Sequence, residues 1–294
     1  MYSGIGKSEY PLAPKYVWKV EIGDKMYGLY WIINIAACVA HLINAGLMVL
    51  FWMINDEQDV KFDLKASYGV WNGDDTVNNS TGPTFSIKQD TFIEGVSLHW
   101  TILAFHTLSF VFQLLAASPF YPYEELVEKR GQNWLRFIEY SISAPLMLVC
   151  IALLSAVDDV VIITLMCTAC SLCQILGLIC ERLQKGWELF TIHSVAWGLI
   201  LLSYAPIIFS FFYSQHQRVE AGGAEPPFFI YLIIWSIFGL FQSFGVVQFL
   251  QIYGDSIPLC GRLGVHAELS YTMLSLISKT LLGWLIYSYV IVNG

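Results

Sequence analysis

The chain has 294 residues, of which 56% are hydrophobic and only 13% charged. Soluble domains carry about 25% charged residues, so the composition excludes an ordinary soluble globular protein and implies an integral membrane protein. The net charge of −8 lies mainly in loops with no basic stripe, which argues against nucleic acid and leaves the lipid bilayer as first partner.

The opening residues, MYSGIGKSEYPLAPKYVWK, hold no apolar h-region, so residues 1–25 read as a polar segment without a cleaved signal peptide. Beyond them, apolar runs set against polar breaks predict seven spans. They fall at about 26–54, 91–117, 132–156, 160–183, 187–213, 227–252 and 265–292. Asp158-Asp159 and Gln184-Lys185-Gly186 form short breaks, and Ser214 to Pro227 a longer one containing Gly222-Gly223. The expected fold is an all-α membrane protein, with residues 1–294 forming a single seven-helix domain.

The first loop, 55–90, is too long for a bare connector. Val60 to Lys65 and Thr84 to Lys88 alternate apolar with polar residues, and Asn72-Gly73-Asp74-Asp75 and Gly82-Pro83 are turn signals between them. The pattern predicts a β-hairpin laid over one face of the bundle as a lid or protomer contact.

Orientation follows from the basic residues. Lys7, Lys15, Lys19, Lys25, Lys129, Arg130, Arg136, Arg182, Lys185 and Arg262 belong to the side of the N-terminus. Lys61, Lys65, Lys88 and Arg218 belong to the other. This asymmetry predicts a cytoplasmic N-terminus and an extracellular C-terminus, so the hairpin loop, with sequons at Asn78 and Asn79, is expected outside. Of the cysteines, Cys38, Cys150, Cys167, Cys170, Cys173 and Cys180 fall inside apolar runs and Cys260 in a loop, which argues against a disulfide framework. The Cys167-Cys170-Cys173 spacing mimics an iron–sulfur motif, but these residues read as membrane packing groups, and no metal site is expected.

The remaining basic residue is Lys279, in the middle of the seventh span. A lysine at a bilayer centre costs roughly 2.5–3.5 kcal/mol on insertion scales. It cannot snorkel, because roughly 15 residues of helix, about 22 Å, lie on either side. Either its ammonium pairs with a buried carboxylate, or its amine is consumed covalently, for which a Schiff base with an aldehyde is the obvious case. Glu139 in the third span is the natural partner, since both helices run in the same direction and the lysine stem leans toward its helix N-terminus. Ser275, one turn before Lys279, is placed to hydrogen-bond between them. Trp197, Phe238, Phe241, Phe244 and Trp284 supply aromatic packing in the last three spans. The other mid-span ionisable residues are His41, His99, His106 and His193.

Glu139-Tyr140-Ser141-Ile142-Ser143-Ala144 together with Ser275-x-x-x-Lys279 and Trp284 resembles the heliorhodopsins, retinal proteins of inverted membrane orientation. The resemblance spans all seven helices and the long first loop, and it implies a rhodopsin-like bundle and a homodimer with the loop strands at the interface. It also implies all-trans retinal covalently bound to Lys279 as a protonated Schiff base, with Glu139 as counterion. Ser143 and Ser275 would be hydroxyls near the imine, and Tyr140, Trp197, Phe241, Phe244 and Trp284 would bound the chromophore. His41 and His106, joined by Asn44 and Asn133, would form a polar proton cluster on the cytoplasmic side. Three departures stand out: Pro145 directly after the Ser-x-Ser element, Gln242 and Gln248 where asparagines are more familiar, and the acidic loop carrying Glu124, Glu125 and Glu128.

The expected function is non-enzymatic: a photoreceptor whose photoisomerisation drives a proton-transfer photocycle and signals to an unknown partner. The third helix has no second carboxylate to serve a vectorial pump. A light-gated proton or cation conductance, using Glu94, Glu225 and Asp158-Asp159, is the alternative. A non-retinal seven-helix receptor or transporter, with Lys279–Glu139 merely pinning two helices, is the third reading.

Overall fold

The computed structural model describes residues 19–22, 25–54, 59–72, 84–183, 186–223, 225–253 and 267–291. The sequons at Asn78 and Asn79, Cys260, and the turn residues 73–83 lie outside the described residues, as do Lys7, Lys15, Lys185 and Arg262. Strands β1 (Lys19–Ile22) and β2 (Lys25–Gly28) pair antiparallel and lead into α1 (Leu29–Ile54). Strands β3 (Lys61–Asn72) and β4 (Thr84–Ser97) follow. The remaining helices are α2 (Leu98–Ala117), α3 (Trp134–Leu154), α4 (Val160–Cys180), α5 (Trp187–Glu220), α6 (Phe228–Tyr253) and α7 (Ala267–Ile286). A π-helical turn, Tyr287–Ile291, extends α7. Among the described residues seven helices are long and apolar enough to cross a membrane, as the apolar runs predicted, and the protein is an integral multi-pass membrane protein.

The expected boundaries shift at three places, each for a local reason. The first span begins at Leu29 rather than 26, because residues 25–28 are paired in β2. The second begins at Leu98 rather than 91: the apolar Phe92-Ile93 pair continues β4, and Ser97 caps the helix by accepting from the Trp100 N–H. The fifth runs to Glu220 rather than 213, since Ser214 to Glu220 contains no breaker, and the chain turns only at Gly222 (φ +76°).

The first-loop hairpin is present and longer than the alternation suggested. β3 and β4 pair antiparallel from Lys61↔Ser97 to Asn72↔Thr84, with register shifts between Phe62 and Lys65. There Gly95 adopts φ +67° and donates its N–H to Asp63 Oδ1 at 2.8 Å, a bulge that bends the ribbon over the bundle. Leu64 is buried in the main core, with Phe62, Val60 and Val96 packed against it. Beyond the bulge, Lys65 donates its backbone N–H to Asp158 O at 2.8 Å and its ammonium to Asp158 Oδ2 at 2.6 Å. The hairpin is thus tied to the α3–α4 turn.

Pro145 lies inside α3 without ending it. A proline has no N–H for the carbonyl four residues earlier, here that of Ser141. The Ser171 hydroxyl of α4 donates to that carbonyl at 2.7 Å. In lipid an unsatisfied carbonyl would cost several kcal/mol, so this contact lets the helix carry proline at membrane depth.

The Asp158 hydrogen bond and charge raise the Lys65 pKa above its ordinary value of 10.5. A raised folded pKa means that the contact contributes fully below that ordinary value and is lost as pH climbs through the raised one. A spin label at Ile87, 71% exposed on β4, is therefore expected to stay restricted at neutral pH and gain mobility only in strong alkali. Lys65→Met is expected to loosen the label already at neutral pH. Equal mobility in variant and parent would show that the ion pair does not hold the hairpin.

Candidate functional site

Two helical stripes build the site. On α7, Glu268, Thr272, Ser275 and Lys279 stand at i, i+4, i+7 and i+11, which in a 3.6-residue helix is one face. On α3, Arg136, Glu139, Tyr140 and Ser143 form the facing stripe, and all four are buried. Lys279 is 2% exposed and Glu139 3%, and the ammonium donates to Glu139 Oε1 at 2.5 Å and to Ser275 Oγ at 2.9 Å. The same Oε1 accepts from Ser143 Oγ at 2.9 Å and from Ser109 Oγ of α2 at 2.7 Å. The Tyr140 ring lies beneath the ammonium, 5.1 Å from Nζ to centroid, with its hydroxyl donating to Tyr271 O at 3.1 Å. Opposite unit charges about 4 Å apart attract by about 4 kcal/mol at an effective dielectric of 20, which offsets much of the insertion cost of the two side chains, roughly 2.5–3.5 kcal/mol each.

From Lys279 a cavity opens between α3, α4, α5, α6 and α7. Tyr140, Ser143, Trp197, Phe241, Phe244 and Ser275 line it. So do Phe137, Met147, His193 and Ile200, which sequence reading did not assign to it. Trp284 does not line it. Five residues past Lys279, it is rotated roughly 140° around α7 and faces α1. There its indole N–H donates to Asn44 Oδ1 at 2.9 Å and its ring meets Phe51 edge-on.

The expected proton cluster separates into three parts. His41 and His106 are fully buried with their Nδ1 atoms 3.1 Å apart, so one ring donates and the other accepts. They sit about one turn of α2 from Ser109, against Gly283, where a Cβ would stand 3.1 Å from His106 Nε2. Asn44 turns instead to α7, donating to Thr280 Oγ1 at 3.2 Å. Asn133 belongs to neither group. It caps α3, one and a half turns before Glu139 and thus on the opposite side from the histidines.

Around Asn133 lies a network that sequence reading missed. Arg136 pairs with both Glu181, at the end of α4, and Glu268, and its guanidinium lies 4.0 Å over the Tyr271 ring. Asn133 donates its backbone N–H to Glu181 Oε2 at 2.8 Å and its amide to Glu268 Oε1 at 2.7 Å, while the Tyr121 hydroxyl donates to Asn133 Oδ1 at 3.1 Å. A second, smaller cavity, bounded by Asn34, Gln113 and Thr272, separates this network from Glu139. The i, i+4, i+7, i+11 stripe of α7 was the available signal for Glu268.

A protein-family model described as Heliorhodopsin matches residues 30–291. No curated protein matches the chain. Among solved structures, a cyanorhodopsin from the cyanobacterium Tolypothrix sp. NIES-4075 aligns with TM-score 0.55 at 12% identity, over 90% of this chain and 96% of that one. The transmembrane domain of the Salpingoeca rosetta rhodopsin phosphodiesterase aligns with TM-score 0.52 at 14% identity, over 86% and 82%. At such identities these two likenesses show a common rhodopsin fold and nothing of activity.

Removing one member of a buried ion pair costs roughly 3–5 kcal/mol, because the partner is left charged and alone. Arg136→Met, which strands Glu181 beside Glu268, is expected to lower the thermal midpoint of the detergent-solubilised protein sharply. Adding Glu181→Gln and Glu268→Gln should recover most of the loss. A single variant as stable as the parent would show that the network bears no structural weight.

Proposed function

Because the chain belongs to the heliorhodopsin family, we propose that it is a retinal photoreceptor in which Lys279 carries the chromophore and Glu139 is its counterion. The observation that carries this reading is the amine of Lys279, at the polar end of an aromatic-walled cavity and held by a buried carboxylate. The fit is chemical: an apolar chain with one condensable end needs apolar walls and a single nucleophile. Retinal bound there supplies a conjugated polyene that absorbs visible light and an aldehyde carbon that condenses with Lys279 Nζ.

The residues of the chain then have definite tasks. Glu139 keeps the nitrogen of Lys279 cationic by supplying negative charge in a low-dielectric site. Ser109, Ser143 and Ser275 orient that contact by hydrogen bonding. Tyr140, Trp197, Phe241 and Phe244 exclude water from the apolar end. Were the nitrogen of Lys279 to lose its contact with Glu139, the His41–His106 pair would be the nearby imidazole group able to take up its proton.

Signalling to a partner is favoured over conductance. Met48, Leu98, Ile102 and Phe105, each at most 1% exposed, form an apolar layer on the hairpin side of the histidines. The charge asymmetry supports a cytoplasmic N-terminus with the hairpin outside, and the exposed Phe85 and Ile87 of the hairpin suit a homodimer contact.

Adding all-trans retinal to the purified protein is expected to give a visible absorption band. Lys279→Ala should abolish the band, and its persistence would remove the attachment assignment. Glu139→Gln should move the band to longer wavelength or make it titrate away, so a spectrum unchanged across pH argues against the counterion role. Under voltage clamp no light-evoked current is expected at any potential. A sustained current would replace signalling with conductance.

A further inference from the structure

Resting on the retinal reading, the geometry points to Gln242 as a specificity-determining positioning residue, one that locks Trp197 in a single rotamer so that the cavity takes an extended polyene in preference to a bent one. Trp197 lines the cavity, whereas Gln242 reaches the indole from α6. Its Oε1 accepts from Trp197 Nε1 at 2.6 Å, across 45 residues of chain. The amide orientation is unambiguous, because an indole N–H is a donor only and must face an oxygen.

Two further contacts make the indole a wedge rather than a loose ring. A Cβ at position 245 would stand 3.3 Å from the indole, so Gly245 allows α6 to approach the ring directly. His193 stands edge-on to the indole at 5.8 Å and is itself held by a 3.3 Å contact from Nε2 to Gly245 O. A tryptophan side chain has two rotatable bonds, and anchoring its far end fixes both. A wall held in one rotamer discriminates between ligand shapes; a wall free to swing accommodates either.

The length of the anchor is part of the argument. Asparagine is one methylene, about 1.5 Å, shorter, and from the same α6 position its oxygen would fall outside hydrogen-bond range of Nε1. Gln242 Nε2 is buried without a partner, so the amide is kept at some cost and its oxygen is the useful end.

The test uses the full-length retinal-free protein, all-trans retinal and a cis isomer, reading pigment yield with each and the isomer composition on extraction. Gln242→Leu and Gln242→Asn are each expected to lower the preference for all-trans by roughly threefold to tenfold, the worth of one hydrogen bond. Gln242→Glu keeps an acceptor of the same length and should retain the preference. Trp197→Phe should lower it as Gln242→Leu does, and the double variant should lose no more than either single one, because both act on one contact. Near-ultraviolet circular dichroism of the retinal-free Gln242→Leu protein should show a change in tryptophan asymmetry while the helical signal is kept. Unchanged isomer preference in both Gln242→Leu and Gln242→Asn overturns the assignment, as do losses that multiply in the double variant. If the unsubstituted protein forms no pigment, the retinal reading fails together with this one; pigment with unaltered selectivity in the variants overturns this one alone.

Discussion

The contact between Lys279 and Glu139 is the constraint on which the rest of the bundle depends. Neither charge could be kept alone at membrane depth, so each requires the other, and their helices must stand at a register that brings the two together. That requirement reaches outward. Glu139 Oε1 takes donors from α2, α3 and α7, so three helices are fixed relative to one carboxylate oxygen. A long apolar cavity begins where this polar contact ends, which places the reactive amine at the boundary between two environments.

The same logic organises the end of the bundle below it. Arg136 and Glu139 lie one turn apart on α3, and Glu268 and Lys279 three turns apart on α7, with opposite signs facing across the helix pair. The two helices are therefore held by two ion pairs of reversed polarity, a pattern that no shift by one turn would satisfy. Glu181 adds α4 to the lower pair. Between the pairs lies the polar cavity, so movement of charge at Lys279 is felt first by groups already tied to the ends of three helices. That arrangement suits a protein that converts a local charge displacement into a movement of helix ends.

The parts of this arrangement that could be read from the sequence were those whose cost is local. A lysine amid twenty apolar residues is anomalous wherever its neighbours lie, and Glu139 was its only carboxylate partner at matching depth. The hairpin announced itself by alternation, although its length did not, because a bulge at Gly95 breaks the period of two just where the strand passes into Ser97. What escaped were properties of angle and partnership. Trp284 is close to Lys279 in sequence but faces another helix, and Asn133 lies on the far side of Glu139 from the His41–His106 pair. Glu181 and Glu268 stand at helix ends, and only packing makes them the partners of a buried arginine. Pro145 suggested a kink, and what allows the helix to continue past it is a serine on α4.

Polar satisfaction is uneven across the bundle. Along α3 and α7, Glu139, Tyr140, Ser143, Ser275 and Lys279 all have partners. Along α1 and α2, His41 Nε2, His106 Nε2, Gln113 Oε1 and both ring nitrogens of His99 are buried with none. Each such atom costs roughly 1–3 kcal/mol, more than a folded protein carries without use. A fully satisfied network resists rearrangement, since every new hydrogen bond must break an old one. The α1–α2 side can instead gain a partner without losing one. The neutral His41–His106 pair also has two equivalent tautomer arrangements, because either Nδ1 can be the donor. The two buried imidazoles, one turn of α2 from Ser109, are therefore the groups beside the α3–α7 pair with hydrogen-bonding capacity in hand.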